Sequence, residues 1–548
     1  MMKKILAILL IVLSVFSLVS CKTTDSSDNK PTSSPSTSTP STPSASADDD
    51  LWELVVNVGP DPDTIDPALN SAVDGATLII HAFEGLYSLD ENGTPIPGAA
   101  ESVDISADGL VYTFHLRDDL KWSDGSELNA FDFVYSWNRA IDEDLAADYE
   151  YMFESIEGYE DGELEIEAVD ATTLTVKLIA RTPYFLELTA FPTFYPVKED
   201  IVESNGDAWA TKVDTYVGNG PYTMIEWVPG SHIKYAKNEY YWNYDALGPD
   251  EIKFVLMDDD NAMLAAYMAE ELAFIDTVPN DEIEALRGRS DFFIAGQLGT
   301  YYISYNCEVA PFDNPEFRKA LTLAIDRDYI TKNIGKSGQQ NAGAYVATGI
   351  GDFVPGVEFR DVGGDYYDPS AEAFEANLAE AKAIIEKLYP NGNVPSFTYI
   401  YNESTGHALI AQALQQMWGE LGIDVLLEAQ EWATFLNTRK NGEYQVARNG
   451  WLNDYNDPMG MLDMFITGGG NNDGQWSNAE FDELIKTVKN SGDQKERMEL
   501  MHKAEDILFA DWVVGPIYYY VDIYMIADDI GGFYSSPLGY KYFMYTFK

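Results

Sequence analysis

Residues 314–334 read NPEFRKALTLAIDRDYITKNI. Apolar residues recur here at the three-and-four spacing of a helix face, with Asn314 suited to the N-cap and Pro315 to the first turn, where its missing N–H is not needed. The same spacing recurs in 371–389, 408–421 and 479–488. Around these lie short runs rich in β-branched and aromatic residues: LWELVVNV at 51–58, YTFHL at 112–116, LTVKL at 174–178, FTYIY at 397–401, and the stretches 233–235 and 252–256. Such runs have the character of strands. Strands interleaved with helices predict an α/β body with more than one lobe.

The chain has 548 residues, with 34 Lys+Arg against 91 Asp+Glu and a formal net charge of −57. Phosphate recognition depends on Lys and Arg neutralising the backbone and releasing counterions, so this balance excludes nucleic acid as the leading partner. Hydrophobic residues at 46% supply ample core and exclude global disorder despite the charge. The acidity itself is open to three readings: cationic ligands, a saline habitat, or solubility.

The first fifty residues differ in kind from the rest. Lys3 and Lys4 precede an apolar run, 5–19, too short for a comfortable membrane span, which reads as a secretory signal peptide over 1–20. It ends in Leu18-Val19-Ser20-Cys21, which resembles a bacterial lipobox; cleavage before Cys21 and lipidation of its thiol would anchor the chain to a membrane. Residues 21–50 are nearly all Ser, Thr, Pro, Asp and Lys, a composition unable to offset its ordering entropy, and so predict a disordered tether reaching on the order of 30 Å. No later segment has eighteen consecutive apolar residues, so the body is expected to be soluble. The other cysteine is Cys307, which leaves no disulfide and no cysteine-based metal site once Cys21 is lipidated.

Several enzyme signatures fail. Gly335-Lys336-Ser337 looks like the end of a P-loop, but Ile330 stands where its first glycine belongs; Gly468-Gly469-Gly470 lacks the G-x-G-x-x-G spacing; H-E-x-x-H and G-x-S-x-G are absent. The five histidines form no close pair, and Asp258-Asp259-Asp260 matches no EF-hand and reads as a solvated face. No catalytic residue, metal or cofactor is expected. Binding becomes the default.

Five longer blocks then carry a resemblance. They are YTFHLRDDLKWSDGSELNAFDFVYSWNRAID at 112–142, GNGPYTMIEWVPGSHIKYAKNEYYWN at 218–243, YYISYNCEVAPFDNPEFRKALTLAIDRDYI at 301–330, YNESTGHALIAQALQQMWGELGIDV at 401–425 and QEWATFLNTRKNGEYQVARNGWLNDYNDP at 430–458. In this order they are similar to the family 5 extracellular solute-binding proteins of bacteria, and the last resembles the oligopeptide-binding members. The resemblance implies a two-lobed periplasmic-binding-protein-like fold (type II, Venus flytrap) with an extra domain beside lobe one. Its boundaries would be 51–85, 210–300 and 518–548 for lobe one, 86–209 for the extra domain and 301–517 for lobe two.

The resemblance also implies a function: capture of oligopeptides in the interlobe cleft and delivery to an ABC transporter permease driven by a cytoplasmic ATPase, by a monomer anchored outside the cytoplasm. Another ligand on the same fold (nickel chelate, haem, oligosaccharide) or a surface adhesin or signalling receptor are the alternatives. A site for peptides of arbitrary sequence can use only what peptides share, their charged ends and backbone amides. The resemblance places Asp454 against the peptide ammonium, and Arg448 and His407, as cations, near its carboxylate or its backbone, with Arg439 a second arginine facing the cleft. Lys336 stands one residue beyond Gly335, which occupies the place of a lysine that family members use for short peptides. Trp432, Trp451 and Tyr149 would line side-chain pockets, with core packing as the alternative. Asn449, Gly450 and Leu452 would offer backbone groups to the peptide, and Ser71 and Val73 would pair from the other side.

Overall fold

The computed structural model describes residues 51–548. The expected signal peptide, Cys21 and the expected tether therefore lie outside the described residues. Ten strands form one continuous path: Val425–Gln430, Phe397–Asn402, Val446–Leu452, Phe292–Tyr305, Val514–Ile526, Phe274–Ile275, Glu53–Asn57, Glu251–Val255, His232–Lys237 and Tyr222–Val228, with Gln340–Asn341 pairing off it. Within it are two parallel groups. In lobe one, Glu53–Asn57 runs parallel to Glu251–Val255 and Phe274–Ile275; in lobe two, Phe397–Asn402 runs parallel to Val425–Gln430 and Val446–Leu452. Parallel strands need helices over their faces, and the helix Thr405–Gly419 covers them in lobe two, packing Trp418 against Phe397 and Tyr399.

The two groups are joined by Phe292–Tyr305 and Val514–Ile526, 14 and 13 residues long and antiparallel to each other. Their pairing shifts register between Gly296 and Thr300 and again between Tyr301 and Tyr302. The sequence reading missed both strands: Gly296 and Gly299 interrupt the alternation in the first, and Gly515-Pro516 opens the second with two residues that read as a turn. A separate four-stranded antiparallel sheet, Ala100–Ile105, Val111–Leu116, Thr173–Lys177 and Ile166–Asp170 in spatial order, packs Phe114, Leu174 and Val176 inward. We keep 51–85, 210–300 and 518–548, 86–209 and 301–517 as proposed domain boundaries; 300/301 and 517/518 fall inside the two long strands.

The predicted helix over 314–334 is broken. Helix Pro315–Leu323 is capped by the Asn314 side chain, which accepts from the Glu316 N–H, but it stops at Ala324 and Asp326 caps a new turn. The cause is Arg327, 2% exposed, whose guanidinium donates to the carbonyls of Thr322, Ile325 and Pro516. The guanidinium thereby satisfies carbonyls of the turn at which the helix ends.

Candidate functional site

In open α/β sheets ligands bind beyond the carboxyl ends of the strands. Here the parallel strands of both lobes end at one cavity of ≈ 520 Å³, within the ~300–1,000 Å³ usual for ligand sites. Asp454, Arg448, Arg439, His407, Trp432, Trp451, Tyr149, Asn449, Gly450, Leu452, Ser71 and Val73 all line it. Residues scattered from 71 to 454 are thus brought together, although their roles differ from one another.

Strand Val446–Leu452 forms the floor. One edge pairs with Phe292–Tyr305 over its whole length, from Tyr305 opposite Val446 to Gly299 opposite Leu452. The other edge meets Phe397–Asn402 only at Val446 and Ala447. From Arg448 onward no strand lies beside it among the described residues, so its backbone is open for an added strand. Gly450 has a second constraint: a Cβ there would collide with the Tyr520 hydroxyl, which accepts a hydrogen bond from Arg448 at 3.1 Å.

Asp454 follows this strand, 7% exposed. Its Oδ1 accepts from the Tyr149 hydroxyl at 3.1 Å, and its Oδ2 has no donor. No cation pairs with it among the described residues. Burial, assisted by the nearby Asp463 charge, holds its carboxyl well above the usual carboxylate range. The acid is aimed into the cavity with half its hydrogen-bonding capacity unused.

Arg448 is the complementary group. It has no carboxylate partner among the described residues, its Nε is buried without an acceptor, and it lies 5.1 Å from the centre of the Tyr301 ring. Tyr301, Tyr518 and Tyr520 pack together around it. A guanidinium stays charged in such a setting, and the aromatic faces stabilise it by about 0.5–2 kcal/mol. His407 departs from expectation. Burial, and then the charge of Arg448, push its imidazole well below its ordinary pKa, so it is a neutral hydrogen-bonding group and not a second cation. Its Nδ1 is 3.2 Å from the Tyr301 hydroxyl. It also sits in the first turn of helix Thr405–Gly419, whose N-cap is Ser404.

The remaining predicted residues support the site more than they meet a ligand's ends. Arg439 faces the cavity but its charge is balanced by Asp473 at 3.2 Å, and it donates to the Asn449 side chain, whose Nδ2 donates to the same Asp473 at 2.9 Å. Tyr149, expected in a side-chain pocket, instead fixes Asp454 while packing on Phe191 and Trp451. The Trp451 indole donates to the Gly460 carbonyl at 2.7 Å, which fixes the ring in the wall. Trp432 donates to Asp74 at 3.1 Å and Lys440 pairs with Asp148 at 2.8 Å, both linking the 432–440 helix to the far side of the cavity. Ser71 and Val73 stand at the start of helix Val73–Ala82, whose N-cap, Ala72, has no side-chain cap.

Sequence reading missed the tyrosines around Arg448 and the Lys541 group. Tyr518 and Tyr520 carried a signal, the alternate residues of an aromatic strand, obscured by Tyr519 between them. Lys541, 2% exposed on its side chain, holds Asp522 at 3.0 Å and Asp276 at 3.1 Å; nothing local to residue 541 announces that.

The chain matches known proteins over most of its length. A model of the bacterial extracellular solute-binding proteins, family 5 Middle, matches residues 94–473. The oligopeptide-binding protein OppA of Bacillus subtilis is 35% identical over 89% of this chain and 91% of its own. A crystal structure of Haemophilus influenzae OppA in complex with RPPGFSPFR superimposes with a TM-score of 0.85 at 31% identity, covering 91% of this chain and 99% of that one. The murein tripeptide-binding protein MppA of Escherichia coli gives 0.84 at 29% identity over 91% and 98%. The unliganded open form of MppA gives only 0.59, at 29% identity over 91% and 97%. The arrangement of this chain is therefore unlike that open one.

Proposed function

Since the chain belongs to the bacterial extracellular solute-binding proteins of family 5, whose two-lobed fold it shares, we propose that its cavity captures an extended oligopeptide by its two charged ends. The observation that carries this is a buried acid and a buried guanidinium, Asp454 and Arg448, each without an ion-pair partner among the described residues and each with an unsatisfied polar atom, at either end of one open strand edge. An ammonium pairs with Asp454, a carboxylate with Arg448, and neutral His407 supplies a further hydrogen bond beside it. The two residues stand six positions apart, at most about 20 Å along extended backbone, which is the scale of a short extended peptide. A nickel chelate, haem or oligosaccharide brings no ammonium for Asp454.

Calorimetry with a tripeptide and its N-acetylated form tests this. Acetylation removes a charge-assisted bond of about 1.5–3 kcal/mol, so the acetylated peptide is expected to bind roughly 10- to 150-fold more weakly; equal affinity sinks the model. The same experiment reads protons. Before a peptide binds, Asp454 holds its proton above the usual carboxylate range, and an arriving ammonium favours the carboxylate, so binding releases a proton. Affinity then rises with pH through that raised range and falls once the peptide α-amino group, at about 7.7–8.0, deprotonates. Binding heats that do not change between phosphate and Tris buffers would contradict this.

We further propose that Cys21 carries the lipid anchor, that residues 22–50 tether the body outside the cytoplasm, and that the loaded monomer is passed to an ABC permease whose ATPase supplies the energy. The lipobox-like Leu18-Val19-Ser20-Cys21 and the missing P-loop support this division of labour. A Cys21→Ser chain should leave the membrane fraction and lack a diacylglyceryl group by mass spectrometry. Membrane retention of that variant would refute the anchor.

A further inference from the structure

End-group capture leaves one part of the cavity wall unused. Carboxylates outnumber lysines and arginines around the cavity, and only some have a cationic partner: Lys541 serves Asp276 and Asp522, Lys440 serves Asp148, Arg439 serves Asp473. Asp260 does not. It lines the cavity, is 7% exposed, and has neither a hydrogen bond nor an ion pair among the described residues. Its charged neighbours are two more acids, Asp259 and Asp258. Asp259 is occupied, capping helix Asp260–Met268 through the Ala262 N–H at 2.7 Å; Asp258 lines the cavity unpaired among the described residues.

The reading of 258–260 as a solvated face is thus corrected for Asp260. It lies on the same helix face as Met263 and Tyr267, which are 3% and 6% exposed, and packing of that face turns the carboxylate inward. Asn57 adds a second buried acceptor in the same wall. It is 0% exposed, its amide donates to Gly59, Val255 and Met257 carbonyls, and its Oδ1 has no donor. A desolvated carboxylate without a partner destabilises a fold, and burial with the two adjacent acids pushes the Asp260 carboxyl up to about 6. An arriving cation relieves that cost. Among the described residues no three acid or imidazole groups converge in the manner of a metal site. The fit is to an organic cation on a flexible stem, whose methylenes Met257 and Met263 in the same wall would contact.

We propose that Asp260, with Asp258 beside it, receives the ammonium or guanidinium of a lysine or arginine side chain in the bound peptide, so that the preferred ligands are basic peptides. This rests on the peptide-binding reading above. The test is calorimetry on the full chain with alanine tripeptides to pentapeptides, comparing lysine with Nε-acetyllysine at each position, since acetylation keeps the stem and removes the charge. At one position lysine is expected to bind roughly tenfold tighter or better. The preference should persist at about 0.5 M NaCl, because a buried pair is screened far less than long-range attraction to the acidic surface. Asp260→Asn should bring the two peptides to parity, and Asp260→Glu should keep most of the preference. Equal affinities at every position, a preference abolished by salt, or one that survives Asp260→Asn overturns the proposal. If alanine peptides bind without a lysine preference, only this inference falls; if no peptide binds, the peptide-binding reading falls with it.

Discussion

Replacing Asp454 with Asn is expected to weaken a free-amine oligopeptide by roughly 100- to 4,000-fold, the equivalent of about 3–5 kcal/mol for a buried charge deprived of its partner. The loss should exceed that from acetylating the peptide. In the acetylated case the protein keeps Asp454, which is desolvated enough to take up a proton and become neutral. In the Asp454→Asn variant the peptide ammonium must be buried without its carboxylate partner, since the nearby Asp463 is already paired with Lys489 at 3.5 Å. The acetylated peptide should therefore bind the variant and the parent alike. Without ligand, Asp454→Asn should unfold at the same denaturant concentration as the parent or higher, because it removes a desolvated carboxyl. An affinity for the free-amine peptide within about threefold of the parent would remove Asp454 from the site.

Glu505→Ala is expected to destabilise lobe two by about 3–5 kcal/mol. Glu505 is 0% exposed and sits on helix Gln494–Ala510. Its carboxylate accepts from the Tyr345 and Val346 N–H groups at 3.1 and 2.8 Å and from both terminal nitrogens of Arg360, itself 9% exposed. Truncation leaves a buried guanidinium and two buried N–H groups without acceptors at once. The effect reaches the site, because the Tyr345 carbonyl accepts from Thr300 at 2.7 Å in the strand that crosses between the lobes. Urea unfolding followed by far-UV circular dichroism measures the cost. The double change Arg360→Met with Glu505→Leu should recover only the part due to the unpaired guanidinium, since the Tyr345 and Val346 N–H groups still lack their acceptor. A loss below about 1 kcal/mol in Glu505→Ala would mean that the pair is solvated and not packed inside lobe two.

How much of this is legible in the sequence depends on where the signal is stored. The strands at 51–58, 112–116 and 397–401 and the helix at 479–488 are readable because side-chain periodicity is a local property, and each appears within a few residues of its expected place. The helix over 314–334 is overestimated because its break is made by Arg327 reaching Pro516, 189 positions away. The strands Phe292–Tyr305 and Val514–Ile526 escape sequence reading although they hold the lobes together, because register shift and glycine, rather than alternation, mark a crossing.

The site shows the same division. The residues read alone carry the α/β class and, through the resemblance of the long blocks, a set of twelve residues that the fold gathers around one cavity. Only the tertiary structure decided what each does. Arg439 and Arg448 are nine residues apart with identical side chains, yet one is neutralised by Asp473 and the other is left with tyrosines alone. Asp258, Asp259 and Asp260 are one run in the sequence and three environments in the fold: exposed, capping, and buried without a partner. The physical reason is that a charge's role is set by desolvation and by the groups within a few ångströms of it, and those groups come from distant parts of the chain that only folding brings together.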